Sequence, residues 1–451
     1  MPELTDEQRA AVELRDGSLL VRAGAGAGKT SVLVERFVRA VIDDGVSVDA
    51  ILAITFTEKA ATELRRRVRQ RLLELGRREQ ARAAEQAWIS TIHGFCSRLL
   101  RAHALSAGID PEYRVLDALE AERIGLDAFD DALEAFLGAG DDPARLEMVA
   151  AYTPDRLREM VRTVHSRLRS RGMRRPALEP VQPPPIADEP ARLAHAAASA
   201  ATELGALAEP GKQVRAGAIA VQRCLALLAR LAVDAGGAAT NGAGTGPDTP
   251  GLAEPGELDK VALKGTARAL ASDACVAYKE ALTAYRQLCA AQRQYLDHTL
   301  LRDLLALFGA AYETRKRQRS GLDFEDLELV ARDLLRAEPG LCERYRERFA
   351  HVLVDEFQDT NPLQNELLEL LARDNLFRVG DERQSIYGFR NADVEVFRRH
   401  HTAAVAAGRA RSITMNFRSR GEVLDAIDRA FEQLWGEDFE PLRERPDARA
   451  E

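Results

Sequence analysis

The sequence predicts an α/β fold in which one parallel sheet is divided by a large all-α insertion. Three observations carry that prediction. Short apolar runs alternate with helical stretches over residues 1–104, residues 105–320 carry almost no strand signal, and the strand pattern returns from about 345. Strands separated by helices of this length argue for a parallel sheet covered on both faces.

Taken in order, Leu19-Leu20-Val21 leads into a glycine-rich stretch. After it Val32, Leu33, Phe37, Val38 and Val41 recur at helical spacing until Gly45 stops the helix. Ile51 to Ile54 and Trp88-Ile89-Ser90 are the next strands. The Ala-, Leu-, Arg- and Glu-rich middle is broken by a proline-rich linker over 176–190. A low-complexity linker over 236–256 breaks it again and is expected to be disordered. His351 to Val354, Leu376 to Val379 and Ser412 to Met415 complete the strands.

At 451 residues the chain has room for about three domains. Hydrophobic residues at 46% and charged ones at 30% describe a globular, soluble composition. No run approaches the roughly 20 uninterrupted apolar residues that span a bilayer, and the acidic N-terminus lacks a signal core. A cytosolic chain without membrane contact is expected. Cys96, Cys224, Cys275, Cys289 and Cys342 form no CxxC pair and read as reduced, buried residues. The net charge of −8 argues mildly against a nucleic-acid partner. A local groove, with the acidic charge spread elsewhere, reconciles the two.

The chemistry starts at Ala23, Gly24, Ala25, Gly26, Ala27, Gly28, Lys29 and Thr30. With a strand before it and a helix after it, this stretch has the context of a phosphate-binding loop. Backbone N–H groups can close around phosphate oxygens at the positive end of the helix. Lys29 would reach the β- and γ-phosphates and the Thr30 hydroxyl would hold Mg²⁺. A flexible glycine–alanine turn is the bland alternative, and Ala23 stands where the general pattern has glycine. Apolar Val352-Leu353-Val354 runs into Asp355 and Glu356. At the strand tip Asp355 suits the Mg²⁺ shell, and Glu356 suits a general base on the attacking water. Two solvated acids ending a strand would look the same in isolation.

The series AGAGAGKT (23–30), TFTEKAATEL (55–64), STIHGFC (90–96), VDEFQDTN (354–361), VGDERQSIYGFRNAD (379–393) and NFRS (416–419) resembles the ordered motifs of UvrD/Rep-type superfamily 1 DNA helicases. STIHGFC and Gly321-Leu322-Asp323-Phe324-Glu325-Asp326-Leu327 are closer to the AddA/RecB-like branch. The resemblance covers 1–104 and about 320–435. It implies a RecA-like motor domain over 1–104 and 321–415, a helical insertion over 105–320, and the start of a second motor domain over 416–451. It also implies an ATP- and Mg²⁺-dependent motor on single-stranded DNA, or on a duplex with a single-stranded tail, moving 3′-to-5′.

Residue roles follow from the resemblance alone. Gln8 matches a glutamine that pairs with adenine, Gln384 one that senses the γ-phosphate, and Arg418 an arginine on the γ-phosphate. Phe417 stands where a tyrosine usually stacks on adenine. Phe56 and Tyr387 match base-stacking positions, and Phe389 stands where tryptophan is common. Thr55, Thr57 and His93 lie in motifs that contact the strand's phosphates, with Arg390 beside the stack. Outside such motifs each aromatic would be read as core and His93 as a satisfied core histidine.

Two arginine runs, Arg65 to Arg71 and Arg167 to Arg175, could line a DNA path, although arginine is abundant throughout. No His/Cys/Asp cluster suggests a structural metal. A phosphate-transferring P-loop kinase or a small GTPase is disfavoured, because QSIYGFR and NFRS have no role there. The family's later motifs and the nuclease domain of AddA/RecB-like proteins are not found. The chain is therefore expected to be a fragment, a truncated product or a subunit completed in trans, with a partner subunit in a helicase–nuclease complex and no nuclease activity of its own.

Overall fold

The computed structural model describes residues 4–138, 142–185, 188–238, 253–436 and 441–444. The chain forms two compact units. The first comprises 1–141, 152–177 and 304–451, and the second 142–151 and 178–303.

The strands are β1 (Leu19–Ala23), β2 (Ile51–Thr55), β3 (Trp88–Thr91), β4 (Arg114–Val115), β5 (Gly321–Leu322), β6 (His351–Val354), β7 (Leu376–Gly380), β8 (Ala410–Ile413), β9 (Met415–Asn416) and β10 (Arg443–Glu444). Six of them form one sheet in the order β3-β2-β6-β7-β1-β8. Every pairing in it is parallel, with Leu19 opposite Phe377, Ile51 opposite His351 and Leu52 opposite Trp88. Of the three sheet strands from after the insertion, β8 takes the edge beside β1 and the other two do not extend the sheet. They interleave, so that β6 and β7 lie between β2 and β1. The tips of β1, β2, β6 and β7 therefore stand side by side at the carboxyl edge, where open α/β sheets bind ligands.

Side chains alternate across the sheet. Leu19, Val21, Ile51, Ala53 and Leu353 face one layer, and Leu20, Leu52, Ile54, Val352 and Val354 the other. The first layer is built by α1 (Asp6–Glu13), α2 (Lys29–Ile42), α3 (Glu58–Glu74) and α4 (Arg78–Ala83) through Val12, Phe37, Val68 and Ala81. Opposite it stand α5 (Ile92–Ala102), α13 (Phe324–Ala337), α14 (Pro339–Arg348), α15 (Pro362–Leu371) and α16 (Val394–Ala406), contributing Phe95, Leu334, Leu341, Leu367 and Val396. This is the expected RecA-like parallel sheet with a large helical insertion.

The first unit also holds α6 (Ala118–Leu137), α8 (Pro154–Ser170), α17 (Gly421–Trp435) and the end of α12 (Asp273–Arg317). The second unit takes α7 (Pro143–Tyr152) up to Ala151, α9 (Glu189–Gly205), α10 (Lys212–Ala238), α11 (Pro255–Lys260) and α12 up to Asp303. Its core gathers Leu193, Ala197, Val221, Leu258 and Tyr278, and the Tyr278 hydroxyl donates to the Val261 carbonyl at 2.6 Å. Within α10, Lys212–Val233 is long and apolar enough, by length and composition alone, to cross a membrane. Arg215, Arg223 and Arg230 interrupt it, and Val221 and Cys224 face the core of the unit.

Local departures from expectation have identifiable causes. The strand expected from Ser412 begins at Ala410, because Arg409 and its successors pair along β1. Thr414 then leaves the sheet, its N–H and hydroxyl both donating to the Glu7 carboxylate at 2.8 Å. The β4–β5 pair falls where no strand is expected; two residues are too short for an alternation signal. Of the 176–190 linker, residues 176–185 carry no helix or strand. Residues 239–252 of the 236–256 linker lie outside the described residues, and Gly256 belongs to α11.

Candidate active site

The glycine-rich loop connects β1 to α2, and its shape depends on its small residues. Gly26 (φ +74°) and Gly28 (φ +82°) adopt left-handed backbone that L side chains rarely take. A Cβ on Gly26 would stand 2.7 Å from the Arg418 Cβ, and one on Gly28 2.7 Å from Gln8 Nε2. Gln8 is buried at 4% exposure and donates to the Ala27 carbonyl at 3.0 Å. Its helix is set by a capping box in which Thr5 and Gln8 satisfy each other's N–H groups. Phe417 donates its N–H to the Gly26 carbonyl at 2.9 Å, and its ring, 39% exposed, lies beside Gly28. Arg418 is exposed next to Gly26.

From the loop, Lys29 Nζ reaches Glu356 Oε2 at 2.6 Å and Gln384 Oε1 at 3.3 Å. Three motifs far apart in the chain thus converge on one ammonium. Glu356 holds φ +49°, an uncommon backbone for a non-glycine residue that turns the chain sharply after β6. Burial, and then the charge of Glu356, push the Asp355 carboxyl up to about 7. The same two causes raise Asp359 to about 6. Three acids gather here around Lys29, a shortage of positive charge that a divalent cation would offset. Among the described residues no group of three or more His, Cys, Asp or Glu could hold a metal. Mg²⁺ bound through one or two side chains together with substrate phosphates would need no such group; Thr30 and Asp355 are the residues that would hold it.

Gln358 carried no expected role, yet it bridges the site. It is 1% exposed, donates to Glu356 and Asp359 at 3.0 Å each, and accepts from the Asp381 N–H at 2.9 Å. Asp381 in turn accepts from Gln384 Nε2 at 2.6 Å. Asn416, equally unassigned, donates to the Ala25 carbonyl at 2.7 Å. Both stand inside the motifs quoted above, but burial cannot be read from one position.

Beside this site at the same sheet edge runs a row of aromatics. Phe56 stacks on Tyr387 at 4.6 Å, Phe389 follows at 5.8 Å with 79% exposure, and the Arg390 guanidinium lies over both later rings. Phe56, Thr57, His93 and Arg390 line one cavity of about 690 Å³ that reaches Asp355 and Glu356. Thr55 is buried and spends its hydroxyl on the Thr57 carbonyl; Thr57 caps α3 through the Ala60 N–H. These two threonines shape the turn that presents Phe56.

The model of the UvrD/REP helicase N-terminal domain matches residues 4–404. The chain belongs to the UvrD/REP helicase family. The AddA subunit of an ATP-dependent helicase/nuclease from Syntrophomonas wolfei subsp. wolfei (strain DSM 2245B / Goettingen) is 29% identical over 97% of this chain and 38% of its own length. Proteins of the same name from Exiguobacterium sibiricum (32% identity) and Desulforudis audaxviator (33%) match 96% and 95% of the chain and 40% of their own lengths. The chain thus spans about two fifths of these relatives. Their shared name agrees with the AddA/RecB-like branch of the UvrD/REP family expected from STIHGFC and GLDFEDL.

Within this UvrD/REP domain members of both arginine runs are spent on partners inside the fold. Arg66 and Arg67 pair with Glu63, Arg71 with Glu35, and Arg65 donates to the Ile89 carbonyl. Arg169 is buried, clasping Asp323 at 2.8 Å and Asp326 at 2.5 Å. All five cysteines are buried and unpaired.

Proposed function

We propose that this chain is the nucleotide-binding part of a motor that hydrolyses ATP in response to single-stranded DNA. The observation that carries it is the convergence of Lys29, Glu356 and Gln384 at the sheet edge that also bears the Phe56–Tyr387–Phe389 row. Gln8 and Phe417 flank the loop where an adenine would sit, and backbone N–H groups from Gly24 to Thr30 surround the phosphates. Mg²⁺ held by Thr30 and Asp355 would neutralise charge on those phosphates. Arriving phosphate draws Lys29 away from Glu356, freeing that carboxylate to take a proton from the attacking water. Gln384 and Arg418 then lie on the γ-phosphate side, where positive charge stabilises the transition state.

Bases would stack on the Phe56–Tyr387–Phe389 row while Thr57, His93 and Arg390 organise the strand's phosphates. Thr55, expected among them, is buried with its hydroxyl on the Thr57 carbonyl and only shapes the turn. Stacking tolerates any sequence, which suits a translocase. Family resemblance supports 3′-to-5′ movement, and the relatives' name supports membership of a helicase–nuclease complex working in DNA repair or recombination. The second reading is a non-unwinding ATP- and DNA-binding module that needs another motor domain or a partner in trans, because such motors close two domains on the nucleotide.

ATP hydrolysis measured with and without a single-stranded oligonucleotide tests the proposal. The expected outcome is DNA-stimulated turnover. A rate unmoved by DNA, with ATP still bound, would favour the module.

A further inference from the structure

Glu328 lies on α13 at 1% exposure, where three helices meet. Its Oε1 accepts from His93 Nε2 on α5 at 2.9 Å and from Gln364 Nε2 on α15 at 2.7 Å. A carboxylate so deep in the core is costly unless donors satisfy it. Two donors explain why Glu328 can be buried. They do not explain why one donor is a ring that reaches the surface. His93 keeps 34% of its side chain exposed, stands edge-on to Phe324 at 5.1 Å, and lines the cavity that also holds Phe56, Thr57 and Arg390. Among the described residues its Nδ1 has no hydrogen-bond partner.

We propose that Glu328 is a positioning residue for single-strand binding, orienting the His93 imidazole from beneath so that Nδ1–H is presented to a backbone phosphate. This rests on the reading of His93 as part of the DNA groove. The logic is that of a carboxylate behind a ligating histidine, where the partner on one nitrogen sets what the other offers. Charge assistance strengthens a donor to phosphate.

The surroundings set the sign of the pH dependence. Glu328 and Glu325 face His93 from α13 and Glu58 from α3; Asp355, Glu356, Asp359 and Arg390 line the same cavity. Burial opposes a charged imidazole, but Glu328 first, then Glu325 and Glu58, outweigh it and raise His93 above its ordinary value. The contact is therefore at full strength below about pH 6.5 and is lost as pH rises through the raised value.

The test is binding of a fluorescent oligo-dT to the full chain from about pH 6 to pH 9 at fixed ionic strength, for wild type, E328Q, H93Q and the double variant. Wild-type affinity should fall on the order of three- to tenfold across the range. E328Q should move that fall about one pH unit lower, H93Q should bind weakly and keep only the shallower fall that the acids of the same cavity impose, and the double variant should match H93Q. An E328Q profile superimposable on wild type, or a double variant weaker than H93Q by the whole E328Q effect, overturns the proposal while leaving the groove intact. If E328Q does not fold, H93Q alone decides: a fall as large as that of wild type overturns it. Wild type that fails to bind oligo-dT at any pH sinks the groove and this inference together.

Discussion

Lys29 and Glu356 form the contact that an arriving phosphate must break, so each should fail differently when altered. Glu356→Gln should abolish turnover while ATP binding persists, measured by steady-state hydrolysis beside a fluorescent-nucleotide titration; an unchanged rate would remove Glu356 from the role of base. Gly26→Ala places a Cβ 2.7 Å from Arg418 on a backbone of φ +74°. Strain of about 1–3 kcal/mol should weaken nucleotide binding by roughly tenfold or more. His165 shows how burial alone sets an acid limit. Packed edge-on to Phe308 and Tyr312, it is lowered to about 3 by burial, then by Arg169 and Lys316. The unfolded chain binds this proton below about pH 6.5 and the folded one does not, so stability must fall as pH drops from there. His165→Phe should flatten that limb in urea melts taken at successive pH values.

At the scale of elements, the loop after β6 is held by a buried side chain in addition to its own backbone turns. Gln358 ties Glu356 and Asp359 to the end of β7, and Gly380 is a glycine because Gln358 Oε1 occupies the space of a Cβ. Gln358→Leu should lower kcat roughly 10–100-fold, as loss of a supporting hydrogen bond does at other sites, with a smaller change in KM for ATP. A proportional rise in KM at constant kcat would instead assign Gln358 to ground-state binding. The same logic holds α8 to α13. Burial opposes charge on Asp323, but Arg169 and Lys316 outweigh it and keep the carboxyl well below its usual range. Arg169→Met leaves Asp323 and Asp326 buried with Lys316 as their remaining cation, a loss of about 3–5 kcal/mol readable in the urea midpoint.

Over the whole molecule, the net charge is −8, and Arg66, Arg67, Arg71 and Arg169 of the two arginine runs are spent on carboxylates of the fold. Single-strand binding should therefore depend shallowly on salt, with a log–log slope of magnitude below about 4. Tyr387→Ala or Phe389→Ala should cost about 1–3 kcal/mol each. A steep slope with harmless aromatic substitutions would put the DNA on another surface.

The phosphate loop, the acid-tipped strand, the sheet split by helices and the family were all legible in the sequence. Those signals are local: glycines where the backbone must turn left-handed, apolar runs of strand length, and short motifs whose residue types carry their own chemistry. The folded chain was needed to learn that β6 and β7 slot between β2 and β1, that Thr55 turns inward, that Arg169 is a buried cation, and that Glu328 stands behind His93. Each of these depends on which residues distant in the chain become neighbours, and on which charges burial strips of water; no window of sequence contains either fact.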